Sequence, residues 1–382
     1  MFSRLSIAKI ILQKRNLLSS IESLSLIRIR FISTDSITTH QKSFTISYLI
    51  NSCGLSQQKA LSASKRIHFE SSTNPDSVLT LFRDYGFSNS HISKIIAQRP
   101  ELLVYCVDKN LKPKFEFFNS KGLSGLDLAK ALSREGMVLC SSLEKTIIPS
   151  FDFLKSIVGT DEKVRAVLNR SMNVVPSFRA VESSITILRS HGVPMSNIQK
   201  FLVSQPRALF RSAPRFSENV EEVKKMKFDP SQYLFLLAIQ SLDSMSRSSL
   251  EAKFDLYKSW GWSEHQVQCA FRKHPRCMTL SEENIMSTMD CFVNKFGYAS
   301  SYIAEQPCLL LFSCERRIIP RCSAIQLLVK NGLVKKDPIL STVLTMSEDK
   351  FLKYIRGFDK EAPKSLMDLV CSVSNYSYFL VN

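Results

Sequence analysis

The sequence predicts an all-α fold: a superhelical solenoid, of either hand, built from tandem helical hairpins of about 32–36 residues. Three observations predict it. A proline, or a residue standing in for it, recurs at nearly constant spacing. Apolar residues keep fixed offsets from that position. Glycine and proline, at 11 and 14 of 382 residues, are too few for a turn-rich β fold or a disordered chain.

The recurring positions, or anchors, are Pro100, Gly136, Met172, Pro206, Ile239, Pro275 and Pro307, with successive spacings of 36, 36, 34, 33, 36 and 32. Gly86, Gly192 and Gly261 each precede an anchor proline by 14 positions, Gly122 precedes Gly136 by the same interval, and Gly159 and Gly297 lie somewhat closer to theirs. Five before the anchors stand Ile95, Ala131, Val167, Phe201, Leu234, Ala270 and Tyr302. Four before stand Ile96, Leu132, Leu168, Leu202, Phe235, Phe271 and Ile303, and three after stand Leu103, Leu139, Val175, Leu209, Leu242, Met278 and Leu310. Every residue in these columns is apolar or aromatic.

Within a unit, apolar residues eight, five and four before the anchor form one helical face. The anchor proline lacks an N–H and disfavours helix before it, so the leading helix stops there. A short bend carries the next apolar pair. A trailing helix follows and ends at Gly122, Gly159, Gly192, Gly261, Gly297 or Gly332 in a left-handed cap. A hydroxyl such as Ser88 or Ser263 then caps the next leading helix. Such a hairpin has too little core to fold alone, and stacking makes a superhelix with a concave side.

Organisation follows: residues 1–34 as an organelle transit peptide, 35–75 as helical lead-in with a loop near Ser71–Pro75, 76–358 as the array, and 359–382 as a cap or tail. The amino terminus has Arg4, Lys9, Lys14, Arg15, Arg28 and Arg30 against Glu22 alone before Asp35, the acid-poor amphipathic pattern of organelle import. Cleavage is expected near 31–36, and the early arginines favour the mitochondrion, with the chloroplast as the alternative. The chain carries +17 in all, and removing residues 1–34 leaves most of that positive balance in the body. Polyanions are therefore the expected partners. The longest unbroken apolar run, Tyr233 to Ile239, is far short of the roughly 20 residues a membrane span needs, so no membrane insertion is expected.

Ten cysteines include no C-x-x-C pair and read as reduced core thiols. A zinc set of His265, Cys269, His274 and Cys277 matches no familiar spacing, so no metal and no cofactor is expected. No Walker loop, dinucleotide fingerprint, H-E-x-x-H or serine elbow is present, and the six histidines are scattered, so no enzyme is expected. Gly122-Leu123-Ser124-Gly125 matches the loop of a KH domain, but the repeat assigns it to a turn between units. Phe115, Phe118, Phe151 and Phe254 read as core by periodicity.

The units Ile95-Ile96-Ala97-Gln98-Arg99-Pro100-Glu101-Leu102-Leu103, Phe201-Leu202-Val203-Ser204-Gln205-Pro206-Arg207-Ala208-Leu209 and Ala270-Phe271-Arg272-Lys273-His274-Pro275-Arg276-Cys277-Met278 resemble the mitochondrial transcription termination factor (mTERF) family, in its plant organellar branch. The resemblance covers about residues 76–358. It implies an organellar protein that binds nucleic acid in transcription termination or initiation, RNA splicing or ribosome biogenesis. A monomer is expected, with other organellar gene-expression proteins as further partners.

The repeat phase points to where nucleic acid would touch. Nine positions after the anchor lie Lys109, Lys145, Arg215 and Arg316, with Arg247 and Arg179 slightly displaced. A cation near a helix start opposes the helix dipole, so stability does not require it. A stripe of such cations on a concave surface suits the phosphates of double-stranded DNA or structured RNA. The unit anchored at Pro275 lacks the cation and carries Arg272, Lys273 and Arg276 around its proline; Arg207, Arg211, Arg317 and Arg321 complete the candidate set. A protein–protein scaffold on the same solenoid is the second reading. A one-base-per-repeat reader of single-stranded RNA ranks below both, because no varied polar column accompanies the cations.

Overall fold

The computed structural model describes residues 39–334 and 340–358. The expected transit peptide and the 359–382 tail lie outside the described residues. Within them the chain is helical, and no strand is present.

The Pro100 unit shows how the sequence builds one repeat. Its leading helix, Asn89–Gln98, is capped by Ser88, whose Oγ accepts from the His91 N–H at 3.3 Å. Pro100 ends that helix and starts a 3-10 turn, Pro100–Val104, where the sequence suggested only a bend. The tighter turn seals Leu102 and Leu103 in the core. A wide turn, Val107–Leu111, then leads into the trailing helix Lys112–Ser120. The chain leaves it through Gly122 at φ +74°, while Leu123 donates back to the Phe118 carbonyl at 2.9 Å. That six-to-one bond is the Schellman closure, and it asks for glycine. The other glycines expected at helix ends also sit at positive φ. The Pro206 unit has none, and Lys227 takes the left-handed position at φ 63°.

The wide turn has a cause in the sequence. Pro113, Pro149 and Pro320 stand second in the trailing helices Lys112–Ser120, Ile148–Val158 and Ile319–Lys330. Each lacks an N–H and would collide with the carbonyl four residues back in a regular helix. The helix accommodates by widening, so that Ile147 donates to Ser142 and Ile318 to Ser313, five residues back, both at 3.0 Å. The residues four before these prolines are Lys109, Lys145 and Arg316.

Packing follows the apolar columns. All residues four before and three after the anchors are buried, and one core runs from Tyr48 to Leu344. Leading helices stack on one another from Gln57–Ala63 to Met195–Ser204, and again from Tyr233–Asp243 to Ser300–Glu305. The Ile239 unit departs from the expected register. Its leading helix runs straight through the anchor, and Leu234, expected inside, is exposed. With no proline at Ile239 the helix is not stopped, and residues 244–246 alone join it to the trailing helix Arg247–Ser259. Nearer the amino terminus, the loop expected around Ser71–Pro75 ends at Ser72, because Thr73–Asp84 is already helical.

Neighbouring units are also joined by polar side chains that cap exposed carbonyls. Gln98 donates to the Ser133 carbonyl at 3.0 Å and Lys273 to that of Glu305 at 3.0 Å; both donors lie two positions before their anchor. Fourteen positions after the anchor, Lys114 donates to the Leu139 carbonyl and Lys253 to that of Met278, each at 2.6 Å. Cations there satisfy the carbonyls left over where a helical turn ends.

Candidate nucleic-acid interface

Of the predicted cation column, Lys109, Lys145 and Arg316 fall in the wide turns that open their trailing helices, and Arg179, Arg215 and Arg247 on the first turn of theirs. Ser142 Oγ accepts from the Lys145 N–H at 3.2 Å, and Ser313 Oγ from the Arg316 N–H at 3.3 Å. These cations therefore occupy the third helical position, where the dipole is unfavourable to them. Lys109, Lys145 and Arg316 are exposed. None of the three has a carboxylate within ion-pair distance among the described residues.

The middle of the column is different. Arg179 lies over the Phe178 ring at 4.8 Å and 3.5 Å from Glu182. Arg247 pairs with Glu251 at 3.3 Å. Arg211 and Arg215 share the buried Asp243, at 2.6 and 3.9 Å. Arg215 and Arg247 also meet at one cleft, whose walls carry Glu218, Glu222, Glu251, Asp255 and Glu264. A phosphate path along the whole column would cross this acidic stretch.

Arg207 binds Glu135 two units away, at 2.5 Å. Glu135 also accepts from the Ser171 hydroxyl at 2.7 Å and the Asn173 N–H at 2.9 Å. Burial pushes the Glu135 carboxyl up, but the donors from Asn173, Ser171 and Arg207 outweigh it and hold the group below the usual range. Arg207 therefore serves packing, although its side chain remains 65% exposed. Around Pro275, Arg276 is exposed and free of carboxylates, Arg272 donates to Cys269 Sγ at 3.1 Å, and Lys273 is engaged as above. Arg317 stacks on Phe312 at 5.5 Å.

Arg321, a contact candidate by sequence, is instead buried, at 1% exposed. Its guanidinium donates to the carbonyls of Val343 and Met346 at 2.7 and 2.8 Å and to Glu348 at 2.9 Å, and it lies over the Phe351 ring at 4.5 Å. It belongs with Lys114 and Lys253, fourteen positions after an anchor, as a joint between units.

A second row of cations lies outside the predicted column. Six positions before their anchors, Lys94, Lys130 and Lys200 are exposed on three leading helices. Lys94 and Lys130 have no carboxylate partner among the described residues, and Lys200 lies over Tyr233 at 4.4 Å. The same register, read six positions earlier, would have shown it.

The other sequence candidates resolve plainly. His265 and Cys269 approach to 3.5 Å, and the buried Cys277 thiol is pushed up to about 12 by desolvation. Among the described residues no group of three or more His, Cys, Asp or Glu side chains could hold a metal. Gly125 opens the helix Gly125–Arg134, as expected of a turn between units. His191 closes a helix and bonds Glu221 at 2.8 Å. Phe115, Phe118 and Phe151 are core, whereas Phe254 is half-buried beside the acidic cleft. Among the described residues no helix is long and apolar enough to cross a membrane.

Stacked helical units with cations repeating along their helix starts define a tandem helical-repeat protein of the solenoid class. The mTERF family model matches residues 79–239 and 177–352. The chain belongs to the mTERF family. It is similar to the transcription termination factor MTERF8, chloroplastic, of Arabidopsis thaliana, with 24% identity over 262 residues, covering 68% of this chain and 51% of that protein. The chain thus spans about half the length of the relative it matches.

Proposed function

We propose that the chain binds double-stranded DNA or structured RNA in an organelle and regulates gene expression there, with transcription termination as the first activity to test. The family membership supports this reading, as does the relative's name. The observation that carries it is the set Lys109, Lys145 and Arg316: exposed, free of carboxylates, and at one repeat phase where stability argues against a cation. Lys94, Lys130 and Arg276 would extend the surface.

Filter binding of a duplex over a salt series tests it. For the wild-type chain, affinity falls steeply with salt. Changing Lys109, Lys145 and Arg316 together to Gln lowers the log–log slope by about 2–3, near 0.9 per lost phosphate contact. Unchanged affinity and slope in a folded variant would refute the interface. The early arginines favour a mitochondrial address, while the relative is named chloroplastic; a fluorescent fusion of the full chain distinguishes the two.

A further inference from the structure

The Ile239 unit opens a cleft that the repeat pattern does not require. In the Pro100 unit residues 99–111 join the two helices through a 3-10 turn and a wide turn; here residues 244–246 make the whole connection. What remains is a space of about 940 Å³ between the trailing helices Ala213–Lys225 and Arg247–Ser259. Its floor is apolar. Leu250 and Phe254, one helical turn apart, join Met226 and Met245, all four half-buried. Its walls are acidic in a chain of charge +17. Of the three cations there, Arg215 lies 3.9 Å from Asp243, Arg247 is held by Glu251 and Lys258 by Glu264 at 3.1 Å, against five carboxylates on the walls. Glu218 and Asp255, one on each wall, are exposed and have no ion pair among the described residues.

We propose that this cleft docks a basic amphipathic helix of a partner protein. An apolar floor between two carboxylate-bearing helices suits a helix with one apolar face and lysines or arginines along its flanks. Charge complementarity sets the partner's sign and steers its approach. Phosphates would meet like charge on both walls, so the cleft is not a continuation of the nucleic-acid surface.

The probe is a labelled 20-residue helix with leucine on one face and lysine on the other, titrated into the full chain by fluorescence anisotropy. A glutamate counterpart serves as control. The chain's overall charge repels the lysine peptide, so its binding reports a local acidic site. We expect the lysine peptide to bind, Glu218→Lys with Asp255→Lys to weaken it at least tenfold, and Met245→Gln to weaken it several-fold. Both carboxylates are exposed, and an unchanged melting curve shows that the double variant folds. The inference is overturned if the lysine peptide does not bind or binds the charge-reversed variant equally well. It is equally overturned if a duplex competes it away, or if the cleft variants dissolve a dimer of the chain, which would make a second copy the occupant. Loss of duplex binding on the Lys109, Lys145 and Arg316 changes, with peptide binding intact, keeps the two surfaces distinct.

Discussion

Arg321→Met provides the sharpest test of how the array is held together. The change leaves the carbonyls of Val343 and Met346 without their donor, strands Glu348, and removes the cation over Phe351. Hydrogen bonds to a charged group are worth about 1.5–3 kcal/mol each. Methionine also removes the cost of burying a charge, which offsets part of the loss. Removing one partner of a buried pair costs about 3–5 kcal/mol, and the lower end, about 3 kcal/mol, applies because the Glu348 side chain is 36% exposed. In a repeat array that loss stays near the joint it breaks rather than spreading evenly. The helices Leu340–Thr345 and Glu348–Arg356, held by this joint, should therefore open locally. Three kcal/mol is about a hundredfold in the opening equilibrium, at roughly 1.4 kcal/mol per factor of ten. Hydrogen exchange of peptides covering 340–358 should speed up by that order, with little change around the Pro100 unit. Arg316→Met, five residues earlier and exposed, should leave the same peptides unchanged. Equal exchange in wild type and Arg321→Met would refute the role given to Arg321.

Two further predictions concern single units. Lys227→Gly removes a left-handed lysine that costs about 1–2 kcal/mol, while adding about 0.5–1 kcal/mol of glycine entropy; denaturant unfolding should show a net gain of about 0.5 kcal/mol, and a loss would mean the strain is absent. Glu135 has a depressed folded pKa, so its contribution is present above the unfolded carboxylate value near 4.3 and is lost as pH falls through the folded value. Melting temperature should drop below about pH 4.3 in the wild type and less steeply in Glu135→Gln, and parallel curves would remove Glu135 from the acid response.

The fold was legible because backbone chemistry wrote it. Pro100, Pro206, Pro275 and Pro307 stop helices, glycines turn the chain, and every residue of the apolar columns is buried except Leu234, which is exposed, and Tyr302, which is half-buried. The failure at Leu234 is physical: Ile239 has no means of ending a helix, so the phase slipped. The candidate site was only half legible. Arginine at 316 and at 321 looks the same in composition, but Arg316 stands in the widened turn and Arg321 in the regular helix that follows it. One faces water and the other the next unit. Nor could the sequence show that Glu135 and Asp243 hold Arg207, Arg211 and Arg215, since those pairs lie between 28 and 72 residues apart. Only the three-dimensional stack brings them together.

Cations two before and fourteen after an anchor have structural work at carbonyls, so their presence says nothing about a ligand. Lys145 and Arg316 have none, and their position makes a stronger claim. Ser142 and Ser313 already cap these helices, and a glutamate three residues later would complete a capping box and favour the dipole. Lys145→Glu and Arg316→Glu should therefore each stabilise the chain, by about 0.5–1 kcal/mol, while weakening duplex binding by tenfold or more. Denaturant unfolding and duplex binding on the same samples measure both. A variant that gains stability and loses binding shows the cations to be held against the interest of the fold. One that loses stability shows instead that they serve it, and the interface would have to be sought elsewhere.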